Sequence, residues 1–105
     1  MKVFLNGDFI EEEEANISVF DRGFLYGDGV FETLRIYNGK PFLLDRHLGR
    51  LSHGLGSLFI GEKYSFSEYL EFTSKLIEGN KVVDGVLRIQ ATRWNMTKDN
   101  HFHLV

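Results

Sequence analysis

The stretch Val30-Phe31-Glu32-Thr33-Leu34-Arg35-Ile36-Tyr37-Asn38-Gly39-Lys40-Pro41-Phe42-Leu43-Leu44 alternates and then turns. Val30, Glu32, Leu34 and Ile36 fall on one face of an extended chain, and Phe31, Thr33, Arg35 and Tyr37 on the other. Asn38-Gly39 is a hairpin signal, because a type I′ turn needs positive φ at both central residues, and Pro41 to Leu44 is expected to return as the partner strand. Upstream, Asn6-Gly7 sits between two short apolar runs within Lys2 to Ile10 and predicts a second hairpin. Glu11 to Glu14 follow as a run of like charges, read as a solvated turn or helix start. Downstream, Leu44, Leu48, Leu51, Leu55 and Leu58 recur at helical spacing, with Asp45 placed to cap. Gly49, Gly54 and Gly56 inside that helix each cost about 1 kcal/mol relative to Ala. Such a helix either ends early or lies close to other backbone or a ligand. Ser65-x-x-Glu68 is a capping box for a second helix, whose predicted buried stripe is Phe66, Tyr69, Leu70, Thr73, Leu76 and Ile77, stopping near Gly79-Asn80. Val86 to Arg93 alternates again, with Val86, Arg88, Gln90 and Thr92 on one face. The order of elements is that of an α+β fold, an antiparallel sheet with two helices.

The chain has 105 residues, the size of one small domain. It contains 0 cysteines, which excludes disulfides and thiol catalysis. A net charge of −3 provides no broad basic field, so nucleic acid is not an expected partner. No apolar run approaches the roughly 20 residues of a membrane span, and the cytosol is the expected location.

Chemistry is concentrated in few places. Ile17 to Gly29 is dense in glycine and aromatics and has no period, so it reads as an ordered loop with at most one helical turn. Its Gly27-Asp28-Gly29 offers backbone N–H groups to an anion, although a tight turn into a strand is the commoner use. Arg35 and Arg88 lie on strand faces and need a carboxylate or phosphate partner if buried, with Asp21, Glu32 and Asp45 available. Arg50 falls on the helix side away from the leucines. His47 and His53 are six apart and share no helical face, and His101-Phe102-His103 lies in a closing stretch without pattern, so no metal site is expected. These residues suit a small anionic ligand and assemble no catalyst of their own.

The run Ser18-Val-Phe-Asp-Arg-Gly-Phe-Leu-Tyr-Gly-Asp-Gly-Val-Phe-Glu-Thr-Leu-Arg35 resembles the N-terminal domain of fold-type IV (class IV) pyridoxal-phosphate enzymes. These include branched-chain aminotransferases, D-amino acid aminotransferases and aminodeoxychorismate lyases. The likeness continues through Tyr37 to Leu51 and returns at Asp84 to Arg93. It implies the small N-terminal domain of the D-amino acid aminotransferase-like fold over residues 1–94, an interdomain or mobile tail over 95–105, and a large catalytic domain absent from this chain. It implies pyridoxal 5′-phosphate as cofactor, amino acid and 2-oxo acid as substrates, and a homodimer in the complete enzyme. Arg50 matches the arginine that binds the cofactor phosphate, where bidentate geometry requires Arg. Tyr26 matches an active-site tyrosine, and Phe31 an aromatic wall of the side-chain pocket. Arg88 matches an arginine that, in some branched-chain enzymes, helps accept an acidic side chain, and Arg35 occupies a matching strand position.

The family's catalytic lysine lies in the large domain. None of Lys2, Lys40, Lys63, Lys75, Lys81 and Lys98 falls in its motif, so the resemblance implies no catalytic residue in this chain and an inactive fragment. Trp94, Lys98 and Asn100 depart from the glycine and the Arg–His pair of the D-amino acid enzymes. The expected activity is transamination of a branched-chain type of amino acid. The alternatives are pyruvate elimination, as in aminodeoxychorismate lyase, and a stand-alone binding domain.

Overall fold

The structure is a computed structural model that describes residues 1–93 and 101–104. The N-terminal hairpin forms as the sequence predicts: β1 (Lys2–Leu5) pairs with β2 (Asp8–Glu11), and Asn6 and Gly7 take φ of 51° and 98°. The acidic run makes a solvent-facing 3-10 turn, Glu12–Glu14. One helical turn, α1 (Arg22–Tyr26), interrupts the aperiodic loop before β3 (Gly29–Tyr37). The alternation predicted for β3 holds, with Leu34 and Ile36 buried and Phe31, Arg35 and Tyr37 exposed on the opposite face.

The returning strand is shorter than expected. β4 is only Lys40–Pro41, and Leu43 turns into the left-handed region (φ 55°) so that α2 (Leu44–Ser57) starts at once. Leu43, not Asp45, occupies the cap position and makes no side-chain cap bond; Asp45 lies in the first turn, where its charge suits the helix dipole. Leu44, Leu48, Leu51 and Leu55 are buried as a stripe, each contributing roughly 1.5–3 kcal/mol. Of the three helix glycines, only Gly54 is packed closely, against Val30 of β3.

Helix α3 (Phe66–Gly79) opens on the predicted capping box at Ser65 and Glu68. Its buried stripe differs at the edges: Tyr69, Thr73, Leu76 and Ile77 are buried, while Phe66 and Leu70 face solvent and Phe72 packs inward. The inward arc is shifted round from the one the apolar pattern implied, because Phe72 stacks on Phe4 of β1 at 4.3 Å. At the end of α3 the Asn80 side chain bonds both the N–H and the C=O of Lys2, tying helix to sheet.

β5 (Gly85–Thr92) pairs antiparallel with β3 along its whole length. The last described residues form β6 (His101–Leu104), where a tail was expected. β6 lies between β1 and β5 in a six-stranded antiparallel sheet of order β2-β1-β6-β5-β3-β4. The expected departures at Trp94, Lys98 and Asn100 lie outside the described residues.

Both long helices pack on this sheet, α2 chiefly over β3 and α3 over β1. Phe4, Leu34, Ile36, Leu51, Leu55, Leu87, Ile89 and Leu104 form the core between them. β4 pairs only with Ile36 and Tyr37, so the first part of β3 has a sheet edge with no strand beside it among the described residues.

Candidate functional site

Two groups of polar side chains flank that open edge, on opposite faces of β3. On the helix side, Glu32 projects toward α2, and its side chain is only 11% exposed. Arg50, one helical turn beyond His47, donates from Nε to both carboxylate oxygens at 3.0 and 3.2 Å and from Nη2 to Oε1 at 2.9 Å. His47 Nδ1 lies 2.7 Å from the same Oε1. An ionised carboxylate only accepts, so this contact places the ring proton on Nδ1. Burial alone raises the Glu32 carboxyl, but the hydrogen bonds from Arg50 and His47 outweigh it and hold it below the usual carboxylate range. The Glu32 hydrogen bond in turn pushes Arg50 up, keeping it charged at any physiological pH.

The Arg50 side chain is nevertheless largely open to solvent, at 69% exposure. It borders a cleft of about 280 Å³ with Leu43, Arg46 and His47. From sequence, Glu32 is a candidate partner for Arg35 or Arg88, and His47 is a candidate metal ligand that shares no helical face with His53. The available signal was a lone acid on the apolar face of β3: buried there, it must be paired.

On the opposite face, β3 and β5 present Phe31, Arg35, Arg88 and Gln90. The Arg88 guanidinium stacks over Phe31 at 4.1 Å from the ring centroid, and its Nε donates to Gln90 Oε1 at 3.3 Å. Arg35 lies over Tyr37 at 5.6 Å. Two of the acids considered as partners are engaged elsewhere: Glu32 with Arg50, and Asp21 with Gly23 N–H and the Thr92 hydroxyl. Phe31, Arg88 and Gln90 border a second cleft of about 180 Å³, which also touches Gly23 and Gly27.

Helix α1 carries Tyr26, exposed and stacked on Arg22 at 5.0 Å. The helix is held by Asp21, which caps it and accepts from Thr92, and by Asp28, which accepts from both Arg22 and Arg93 at 3.0 Å. Burial opposes ionisation of Asp28, but these two arginines outweigh it and lower its pKa. The N–H groups of Gly27, Asp28 and Gly29 all bond nearby carbonyls, so this segment is a tight turn and not an anion nest. The described residues therefore bring Phe31 and Arg88 together, and place Arg35 further along the same face. Tyr26 sits on the adjoining helix, and Arg50 lies across the open edge of β3.

Residues 29–104 match the family model described as amino-transferase class IV. The chain belongs to the class IV aminotransferases. Among curated members, a Staphylococcus aureus D-alanine aminotransferase is 40% identical over 100 residues, which are 95% of this chain and 35% of that protein. The Bacillus subtilis aminodeoxychorismate lyase is 48% identical over 88 residues, 84% of this chain and 30% of its own. This class IV chain thus spans about a third of the length of the curated relatives it matches. The fold is shared with the solved branched-chain aminotransferase of the thermophilic archaeon Thermoproteus uzoniensis with norvaline. That likeness has a TM-score of 0.87 and 26% identity, over 100% of this chain and 39% of the other.

Proposed function

We propose that this chain is the small domain of a pyridoxal-phosphate enzyme that transfers an amino group between an amino acid and a 2-oxo acid. The observation that carries this reading is Arg50, held on one edge by Glu32 and open on the other to a cleft shared with Arg46 and His47. A phosphate monoester dianion fits such a place: the donors are cationic or neutral, the one carboxylate points inward, and the guanidinium is already oriented. When bound, the cofactor supplies the electron sink that amino-group chemistry requires.

The chain's own residues bind and orient. Arg50 seats the phosphate, Glu32 and His47 fix the Arg50 fork, and Phe31 and Tyr26 offer aromatic surface to the substrate. Arg35 and Arg88 attract its carboxylates. No residue of the chain matches the catalytic lysine, so these 105 residues alone bind without turning over. The complete enzyme is a homodimer on this reading. A branched-chain type of substrate is supported by the likeness to the Thermoproteus uzoniensis enzyme.

Pyridoxal-phosphate titration of the full-length gene product tests the proposal. Arg50→Ala removes a charge-assisted phosphate contact, so cofactor affinity should fall about 10- to 150-fold. Arg50→Lys should recover only part of it. Cofactor affinity unchanged by Arg50→Ala refutes the assignment.

The second reading is pyruvate elimination, favoured by the 48% identity to the Bacillus subtilis lyase. Coupled assays separate the two: glutamate formation from a branched-chain amino acid with 2-oxoglutarate marks transamination, and 4-aminobenzoate release marks the lyase.

A further inference from the structure

Tyr26 is 70% exposed, and its side chain makes one ion, hydrogen-bond or ring contact among the described residues: the Arg22 guanidinium, 5.0 Å from the ring centroid. The two residues stand one turn apart on α1, so the contact lies on the helix's own surface. A cation–π contact at so open a site is barely stronger than thermal energy. The ring therefore keeps one direction only where the guanidinium is itself held.

Arg22 is held by Asp28. Arg22 Nε donates to Asp28 Oδ2 at 3.0 Å, and Arg93 Nε donates to the same oxygen at 3.0 Å. Arg93 also donates from Nη2 to the Leu58 carbonyl, where α2 ends. The backbone of Asp28 is fixed between the same two residues, its N–H donating to the Arg22 carbonyl and its carbonyl accepting from the Arg93 N–H. A path of fixed groups thus runs from the end of α2 through Arg93 and Asp28 to Arg22, and it ends on the Tyr26 ring.

The residue type at position 28 is informative. Two guanidiniums on one oxygen repel each other, and a full negative charge offsets that repulsion. An amide at the same place would accept more weakly and would turn its NH2 donors toward two cations. The helix backbone has ties of its own, because Asp21 caps it and Gly23 packs on Thr92 with no space for a Cβ. The Asp28 carboxylate acts on the Arg22–Tyr26 row of side chains.

We propose that Asp28 is the positioning residue of Tyr26: through Arg22 it fixes the direction in which the ring meets the substrate, and through Arg93 it ties that direction to the ends of β5 and α2. This deepens the proposed function and rests on its placing Tyr26 against the substrate.

The test uses the full-length gene product labelled with fluorotyrosine, the Tyr26 resonance being assigned by its loss in Tyr26→Phe. Asp28→Asn should move that resonance toward the position of free fluorotyrosine, without need of turnover. Arg22→Met, which keeps length and leaves the Asp28–Arg93 pair intact, should move it equally and covers the case in which Asp28→Asn does not fold. Each variant should raise KM for norvaline as amino donor about tenfold and leave pyridoxal-phosphate affinity within about twofold. In a Tyr26→Ala background, Arg22→Met and Asp28→Asn should add less than about twofold to KM, since residues acting through one ring are not additive.

Additive effects on KM, as general structural damage would produce, overturn the proposal, as does a Tyr26 resonance unmoved in Arg22→Met. A moved resonance with unchanged KM overturns the contact between ring and substrate. Cofactor binding through Arg50 is measured separately. Loss of that reading with a moved Tyr26 resonance would remove the proposed enzyme and leave the tie from Asp28 to the ring, and the reverse result would remove the tie alone.

Discussion

Glu32 shows how much one side chain does in this small domain. It is the acid on the covered face of β3, and it binds the charged Arg50 and the His47 ring at once. Removing its charge leaves two donors facing a weaker acceptor, so Glu32→Gln should lower unfolding free energy by about 1–3 kcal/mol in urea titration. If Arg50 seats a phosphate as proposed, the same variant should also weaken phosphate-ester binding, because Arg50 then loses its fixed orientation. Asp21 has a comparable position at α1, capping the helix and accepting from Thr92 across 71 residues of chain. Asp21→Ala should cost at least the ~1 kcal/mol of a lost N-cap. Hydrogen exchange should then rise first in 22–29, the segment that carries Tyr26 and leads into Phe31.

At the scale of elements, α2 makes a sharper prediction through its glycines. A Cβ at Gly54 would lie 2.9 Å from Val30 Cγ1, whereas Cβ atoms at Gly49 and Gly56 meet nothing within 4 Å. Gly54→Ala should therefore push α2 off β3 and destabilise by roughly 1–3 kcal/mol, as overpacking does. Gly49→Ala and Gly56→Ala should each stabilise by up to about 1 kcal/mol from helix propensity. Thermal unfolding of the three variants distinguishes a packing glycine from two unconstrained ones. Gly49 lies one residue before Arg50, so its gain in stability, if accompanied by loss of cofactor affinity, would mark a close approach of ligand to this turn.

Across the whole molecule, two lowered carboxyls set an acid limit. Glu32 and Asp28 have folded pKa values below their ordinary 4.5 and 3.8, so their contribution is complete above those ordinary values. It is lost as pH falls through the lower folded values. Denaturation midpoints should be flat above about pH 5.5 and fall steeply below about 4.5, and a Glu32→Gln, Asp28→Asn double variant should flatten that acid limb. A second prediction concerns β6. It joins β1 to β5, and Leu104 is 0% exposed in the common core. Leu104→Ala should cost about 2–5 kcal/mol. Deleting residues 101–105 should abolish cooperative unfolding, because β1–β2 and β5–β3–β4 then lose the strand that unites them.

Alternation in β3 and β5, the two Asn-Gly turns, the leucine stripe of α2 and the Ser65 capping box were all legible, because each is dictated by residues close together in the chain. So was membership of the class IV aminotransferases, carried by motifs in order. The short β6 was not, since four residues after an aperiodic run have too little period to read and are placed by pairing with strands far away in sequence. Nor were the partners of the arginines: Glu32 could have met any of several cations, and only the packing of α2 on β3 joined it to Arg50 and His47. By itself the sequence determined the family and the elements other than β6. Tertiary structure alone decided which charges are neutralised and which stay open, because an ion pair depends on distances that the chain sets only after its sheet and helices have packed.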